Sequence, residues 1–204
     1  SHDDTLLFFF AGHGSPDHHL VTHDTNRDDI SGTSIPMDQL SEWLKGNQAR
    51  TVVFLDCCFS GGATARVLQD VPVSRSGMVT ISDLQGNGRV IVSASQSDQP
   101  ALEINGHGVF SKALLETFIE SIDGISLGLL TDEVTRKVRV EAERLGGGQR
   151  PVVFNHIEDG FTFPPLAPGI LFAEHFPDTG GLIVSSKIND LTAFGLSENL
   201  TQIW

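Results

Sequence analysis

The chain has 204 residues and a formal net charge of -13, from 26 acidic against 13 basic side chains. That length gives one domain with a proper core and room for a small appendage, and the acidic balance excludes a nucleic-acid partner while suiting a basic one. An apolar share of 39% fits a globular class; no apolar run reaches the roughly 20 residues that span a bilayer, and the acidic opening residues form no signal-peptide pattern.

Thr5-Leu-Leu-Phe-Phe-Phe-Ala11 is predicted as a buried strand that stops at Gly12-His13-Gly14-Ser15. A core histidine satisfied by hydrogen bonds is the ordinary use of such a residue. Here the flanking glycines keep the ring accessible and the strand fixes its position. The loop from Pro16 to Thr33 gathers Asp17, His18, His19, His23, Asp24, Asp28 and Asp29. EF-hand spacing fails in it, because Asp29 stands where glycine is required and Ile35 where the bidentate Glu belongs. Zinc spacing fails too, so a solvated acidic loop is preferred to a metal site. Pro36 opens a predicted helix with Met37, Leu40, Trp43 and Leu44 on one face and Gly46 past its end.

Thr51 to Leu55 is β-branched and aromatic without polar alternation, which predicts a central strand buried on both faces. It runs straight into Asp56-Cys-Cys-Phe-Ser-Gly-Gly62. Polar groups where such a strand stops lie at the carboxyl edge of the sheet, where α/β folds put their sites. Both cysteines of the protein are here, and one is a candidate nucleophile. Being adjacent they frame no disulfide, which suggests a reducing, cytoplasmic compartment. If the two strands are neighbours, His13 and a cysteine share one rim, and thiol beside imidazole is the minimum for making a thiolate. Asp56 has a structural use as well, capping local amides at the strand end.

Ala63 to Asp70 is predicted as a helix whose N-terminus faces Cys58 and favours its thiolate, and Val71 to Gly88 as a polar, glycine-rich loop. A third buried strand, Arg89 to Ala94, leads into Ser95 to Glu103. Gly108 begins a helix with Phe110, Ala113, Leu114 and Phe118 inward. Leu130 begins another, with acids in its first turn and Val134, Val138, Ala142 and Leu145 inward. A closing strand over 149–154 ends the unit, so residues 1–163 form one domain. Phe163 to Gly169 reads as a linker. Strands near Leu182 and Leu191 then make 164–204 a β-rich extension or the start of another module.

Phe10-Ala-Gly-His-Gly-Ser15, followed 45 positions after its His (58 − 13) by the Asp56 to Gly62 stretch, resembles the caspase–metacaspase clan. The separation agrees with the roughly 50 residues expected of caspases. The Gln-Ala-Cys opening of the animal caspase pentapeptide is absent; the Asp-x-Cys-x-Ser-Gly form is similar to metacaspases and bacterial caspase-like proteases. The resemblance runs from about Thr5 to Phe154. It implies a caspase-like three-layer α/β/α sandwich with a mainly parallel central sheet, and a cysteine endopeptidase requiring no cofactor. By it, Cys58 is the nucleophile, His13 its partner, and the N–H groups of Gly14 and Cys58 the oxyanion donors. Cys57 then points the opposite way, into the fold.

The resemblance also implies that Asp56 lines the primary specificity pocket and selects Arg or Lys in protein or peptide substrates. Asp24 ends a segment similar to one leading to a pocket carboxylate, and Asp98 is a second candidate. Ser95 lies in a cleft wall where many metacaspases have Cys. Some metacaspases need calcium, so activation by that ion is open. Self-cleavage after Arg75, with Arg66 and Arg89 as alternatives, and a role in bacterial cell death or defence belong to the same implication; nucleic acid and membrane do not. Members of the clan carry a further strand before the His-bearing one. Here that strand starts five residues in, so the sheet is expected to lack its first strand, the chain being a fragment, a processed piece, or one completed by another polypeptide. A catalytically silent scaffold that binds a partner is the alternative. A serine hydrolase using Ser15 or Ser60 ranks lower, for want of a Gly-x-Ser-x-Gly elbow.

Overall fold

The computed structural model describes residues 5–15, 17–45, 49–57, 84–96, 99–104, 106–157, 160–165, 172–175 and 182–185. In chain order the elements begin with β1 (Thr5–Ala11), β2 (His13–Gly14), β3 (His19–Val21), α1 (Ile30–Thr33), β4 (Ile35–Pro36) and α2 (Met37–Lys45). The central strands β5 (Arg50–Asp56) and β6 (Arg89–Ser93) follow, then a short hairpin of β7 (Glu103–Ile104) and β8 (His107–Gly108). The second half holds α3 (Val109–Glu120), β9 (Ile125–Ser126), α4 (Leu127–Arg144), β10 (Val152–Asn155), β11 (Thr162–Phe163), β12 (Phe172–His175) and β13 (Leu182–Ser185).

The main sheet has the order β1-β5-β6-β10. β1 and β6 both run parallel to β5, and β10 closes antiparallel to β6. Strand alternation sorts β5 between two cores. Val52 and Phe54 pack with Val90 and Val92 against Phe110, Leu114, Leu130, Val134 and Val138 of α3 and α4. Val53, Leu55 and Cys57 pack with Ile91 against Met37, Leu40 and Leu44 of α2. Helices therefore cover both faces, giving the three-layer α/β/α sandwich with a mainly parallel sheet.

β1 departs from the expectation of burial. Thr5, Leu6 and Leu7 are exposed, the two leucines at 36% and 42%, because β1 is the terminal strand of the sheet among the described residues. Its phenylalanines still divide as a two-sided strand requires, Phe9 toward the α3/α4 core and Phe8 and Phe10 toward the α2 core.

Three helix details also differ. Trp43 is 53% exposed, since the buried stripe of α2 runs through Met37, Leu40, Ser41 and Leu44 and Trp43 lies about 100° round the axis from its centre. α4 starts three residues before Leu130, where Ser126 caps it by accepting the Leu129 N–H at 3.3 Å. Asp132 and Glu133 consequently fall beyond the first turn. Leu145 is the C-cap of α4 and exposed, the left-handed turn at Gly146 (φ +73°) following it. β12 and β13 pair with each other as an antiparallel hairpin. The helix expected over 63–70, the candidate self-cleavage positions Arg66 and Arg75, and the strand expected near Leu191 lie outside the described residues.

Candidate active site

β1 and β5 pair in register from Thr5↔Arg50 to Ala11↔Asp56. The last pair sets the site: His13 lies two residues beyond Ala11, and position 58 two beyond Asp56. One more bond extends the ladder, the Gly12 N–H donating to the Asp56 carbonyl at 3.0 Å. On the other side of β5 the Ala94 N–H donates to the Leu55 carbonyl at 2.8 Å. The ends of three parallel strands are thus tied into one rim, the carboxyl edge.

His13 sits in a small sheet of β2, β3 and β4, paired with Val21. The hairpin is held from beneath. Buried Ser15 donates its hydroxyl to Asp17 and accepts the His19 N–H at 3.0 Å, and the His19 ring meets the Ser34 hydroxyl at 2.8 Å. The His13 side is exposed while Gly14 is buried. That combination, a presented ring on an anchored turn, is what proton transfer at a rim needs.

Cys58 and Asp98 lie outside the described residues. Cys57 is described: it is 1% exposed and belongs to the α2-side core, on the face opposite Asp56. Ser95, 4% exposed, follows the end of β6, its carbonyl accepting the Ser93 hydroxyl at 3.2 Å. Asp24 lies three residues past Val21, the partner of His13, and is exposed. The Thr22 hydroxyl donates to it at 2.6 Å and holds its carboxyl below the usual range. Asp24 shares no hydrogen bond with Asp56 or Ser95 among the described residues.

Asp56 is 6% exposed and faces the α3/α4 layer. Its Oδ2 accepts both the backbone N–H of Ser111, at 2.9 Å, and the Ser111 hydroxyl. Ser111 is the third residue of α3, and the N-cap residue Gly108 offers no side chain to the helix. Asp56 thus caps α3 from another strand, 55 residues away in sequence. The contact is close: a Cβ on Gly108 would lie 2.1 Å from Oδ2. Burial pushes the Asp56 carboxyl up, the Ser111 bonds oppose this, and the negative charge of Glu103 adds to the rise. Glu103 sits across the β7–β8 hairpin from Gly108. Asp56 pairs with no Lys or Arg among the described residues.

Two residues that bear on the site carry no sequence signal of their own. Ser111 looks like any polar position in an amphipathic helix. Gln149, 1% exposed, takes the Leu102 N–H on Oε1 at 2.8 Å and donates Nε2 to the Ala94 carbonyl at 2.9 Å. It pins the segment after β6 to the strand end. Among the described residues no group of three or more His, Cys, Asp or Glu side chains is arranged to hold a metal ion, and no helix is long and apolar enough to cross a membrane.

Comparison with solved structures finds caspase-1 from Spodoptera frugiperda, with a TM-score of 0.52 at 16% identity, covering 77% of this chain and 63% of that one. The protein GSU0716 from Geobacter sulfurreducens matches with a TM-score of 0.46 at 17% identity, over 87% of this chain and 72% of that one. The chain thus spans 63% of the insect caspase's length, and at this identity the likeness speaks for the fold. No curated protein matches the chain. The family model of the caspase domain matches residues 1–162, and the chain belongs to that family.

Proposed function

We propose that the chain is a cysteine endopeptidase of the metacaspase-like kind that cuts after Arg or Lys. The observation that carries the reading is the Ala11↔Asp56 register at the carboxyl edge, a pair that His13 and Cys58 each follow by two residues in sequence. Cys58 attacks the scissile carbonyl as the thiolate, and His13 protonates the leaving amine. Water then hydrolyses the thioester, with His13 as base. The N–H groups of Gly14 and Cys58 receive the oxyanion. Dyad and oxyanion donors all come from the chain, so no cofactor is needed; calcium acts at most as an activator.

Specificity rests on Asp56. Among the described residues the charge acting on the buried Asp56 carboxylate is that of another carboxylate, Glu103, and a substrate guanidinium or ammonium supplies the countercharge. Asp24, Asp98 and Ser95 are assigned to the surrounding pocket. The two adjacent thiols suit a reducing cytoplasmic compartment, and the clan resemblance suggests bacterial cell death or defence.

The test is cleavage of matched fluorogenic peptides ending in Arg, Lys or Asp, with and without calcium, by the chain and its Cys58→Ala variant. Cleavage after Arg or Lys that Cys58→Ala abolishes is the expected result. Cleavage after Asp would keep the peptidase and overturn the pocket. No cleavage, with or without calcium, would favour the silent scaffold. Loss of an intact band in wild type, absent in Cys58→Ala, would reveal self-processing.

A further inference from the structure

The two oxygens of Asp56 are not equivalent. Oδ2 accepts two hydrogen bonds, from the N–H and the hydroxyl of Ser111, which fills the two lone-pair sites of a carboxylate oxygen. It also lies against Gly108, where a Cβ would overlap it. Oδ1 accepts no hydrogen bond among the described residues. An arginine that pairs side-on with a carboxylate needs one free site on each oxygen, whereas a lysine ammonium or an end-on guanidinium needs only one.

We propose that Ser111 is a specificity-determining residue: by occupying Oδ2 of Asp56 it leaves Oδ1 as the single acceptor offered to a basic side chain, so that Lys and Arg are taken on nearly equal terms. The inference rests on Asp56 being the pocket carboxylate and adds what sets the preference within the basic class. Ser111 lies in the first turn of α3 and acts through Asp56 without touching substrate. Losing its hydroxyl reopens a site on Oδ2 while the backbone N–H still holds the carboxylate in place.

The experiment compares kcat/KM for two peptides differing only in Arg or Lys at the cut site. It uses wild type, Ser111→Ala, Ser111→Cys, Ser111→Thr and Asp56→Asn, with a thermal melt of each. Wild type is expected to cleave the two peptides within about threefold of each other. Ser111→Ala should shift the ratio about tenfold toward Arg, the worth of one added charge-assisted hydrogen bond. Ser111→Cys, near-isosteric with a weak donor, should shift it the same way, and Ser111→Thr, which keeps the hydroxyl, should stay near wild type. A wild-type ratio already strongly toward Arg would overturn the assignment. So would an unchanged ratio in folded Ser111→Ala and Ser111→Cys, given that Asp56→Asn loses cleavage of both peptides. Undiminished cleavage by Asp56→Asn would instead remove the pocket reading beneath it, so the two failures are distinguishable.

Discussion

The N–H of Gly12 donates to the carbonyl of Asp56 at 3.0 Å, carrying the β1–β5 ladder one residue past the last strand pair. The bond clamps the backbone just before His13 to the backbone just before the two cysteines. The backbone leading into His13 is therefore fixed to the end of β5 by sheet geometry, which is stiff.

The proposed dyad of His13 and Cys58 should behave as a unit. His13→Ala is expected to lower kcat by about 10²–10⁴ through loss of proton transfer, with KM for an Arg peptide little changed. His13 is exposed, so its removal should leave the melting temperature within a few degrees of wild type. A large fall in melting temperature would instead make it a structural histidine.

The two cysteines should separate cleanly by reactivity. Cys57 is 1% exposed in the α2-side core, so iodoacetamide should not reach it in the native state. Native protein is expected to take up one label well below pH 8, as an activated thiolate would, and Cys58→Ser none. Two labels on native wild type, or one on Cys58→Ser, would contradict the division of roles.

How far the sequence carried this arrangement depends on the scale of the pattern. β1 could be read to the residue at its C-terminal end and β5 to within one, ending at Asp56 and not Leu55, because an apolar run halted by glycine or a carboxylate is a local signal. Their register could not, since periodicity fixes which face a residue takes but not its partner across the ladder. The edge position of β1, and hence the exposure of Leu6 and Leu7, is likewise a property of the sheet. The Asp56–Ser111 contact spans 55 residues and joins two side chains that each look ordinary in their own segment. Trp43 went to the wrong face for a smaller reason: the buried stripe of this nine-residue helix takes Ser41 with Met37, Leu40 and Leu44, which leaves Trp43 at the margin.

Asp56 should cost the fold stability at neutral pH. Burial raises its carboxyl above the usual carboxylate range, so the folded state binds the proton more tightly than the unfolded state. Between the ordinary carboxylate value and the raised folded one the unfolded chain has already lost its proton and the native one has not, so stability falls as pH rises through that window and stays low above it. Asp56→Asn, whose amide oxygen can still accept from Ser111, has no such slope. Its melting temperature is expected to exceed that of wild type at pH 7 and to converge with it below pH 4, while cleavage of Arg and Lys peptides is lost. A less stable Asn variant at pH 7 would mean that the charge serves the α3 cap more than the burial opposes it.

Gln149 makes a prediction about scaffolding. Gln149→Leu keeps the volume but strands the Leu102 N–H and the Ala94 carbonyl, both bonded to its amide. An unpaired buried group costs about 1–3 kcal/mol, so urea unfolding should show a loss of about 2 kcal/mol or more. The backbone at Leu102 should loosen as well, seen as faster amide exchange there. Unchanged stability would mean that water replaces the amide.

Gly108 tests the site without replacing any charged group. Its φ of -60° and ψ of 135° are open to any residue, so Gly108→Ala carries no backbone strain and, at the edge of a helix, little propensity cost. Its added methyl would nevertheless sit 2.1 Å from Oδ2 of Asp56 and 2.8 Å from its carboxyl carbon. Either the carboxylate swings away from Ser111 or α3 shifts from β5. The first outcome breaks the Asp56–Ser111 bonds and misplaces the charge, so cleavage after Arg and Lys should fall by at least about tenfold through KM and kcat together. The double variant Gly108→Ala, Asp56→Ser separates the two outcomes, because a shorter side chain leaves room for the methyl. It should melt above Gly108→Ala alone while remaining inactive. If Gly108→Ala by itself cleaves Arg and Lys peptides as wild type does, the close packing of Gly108 on Asp56 is not part of what holds the pocket.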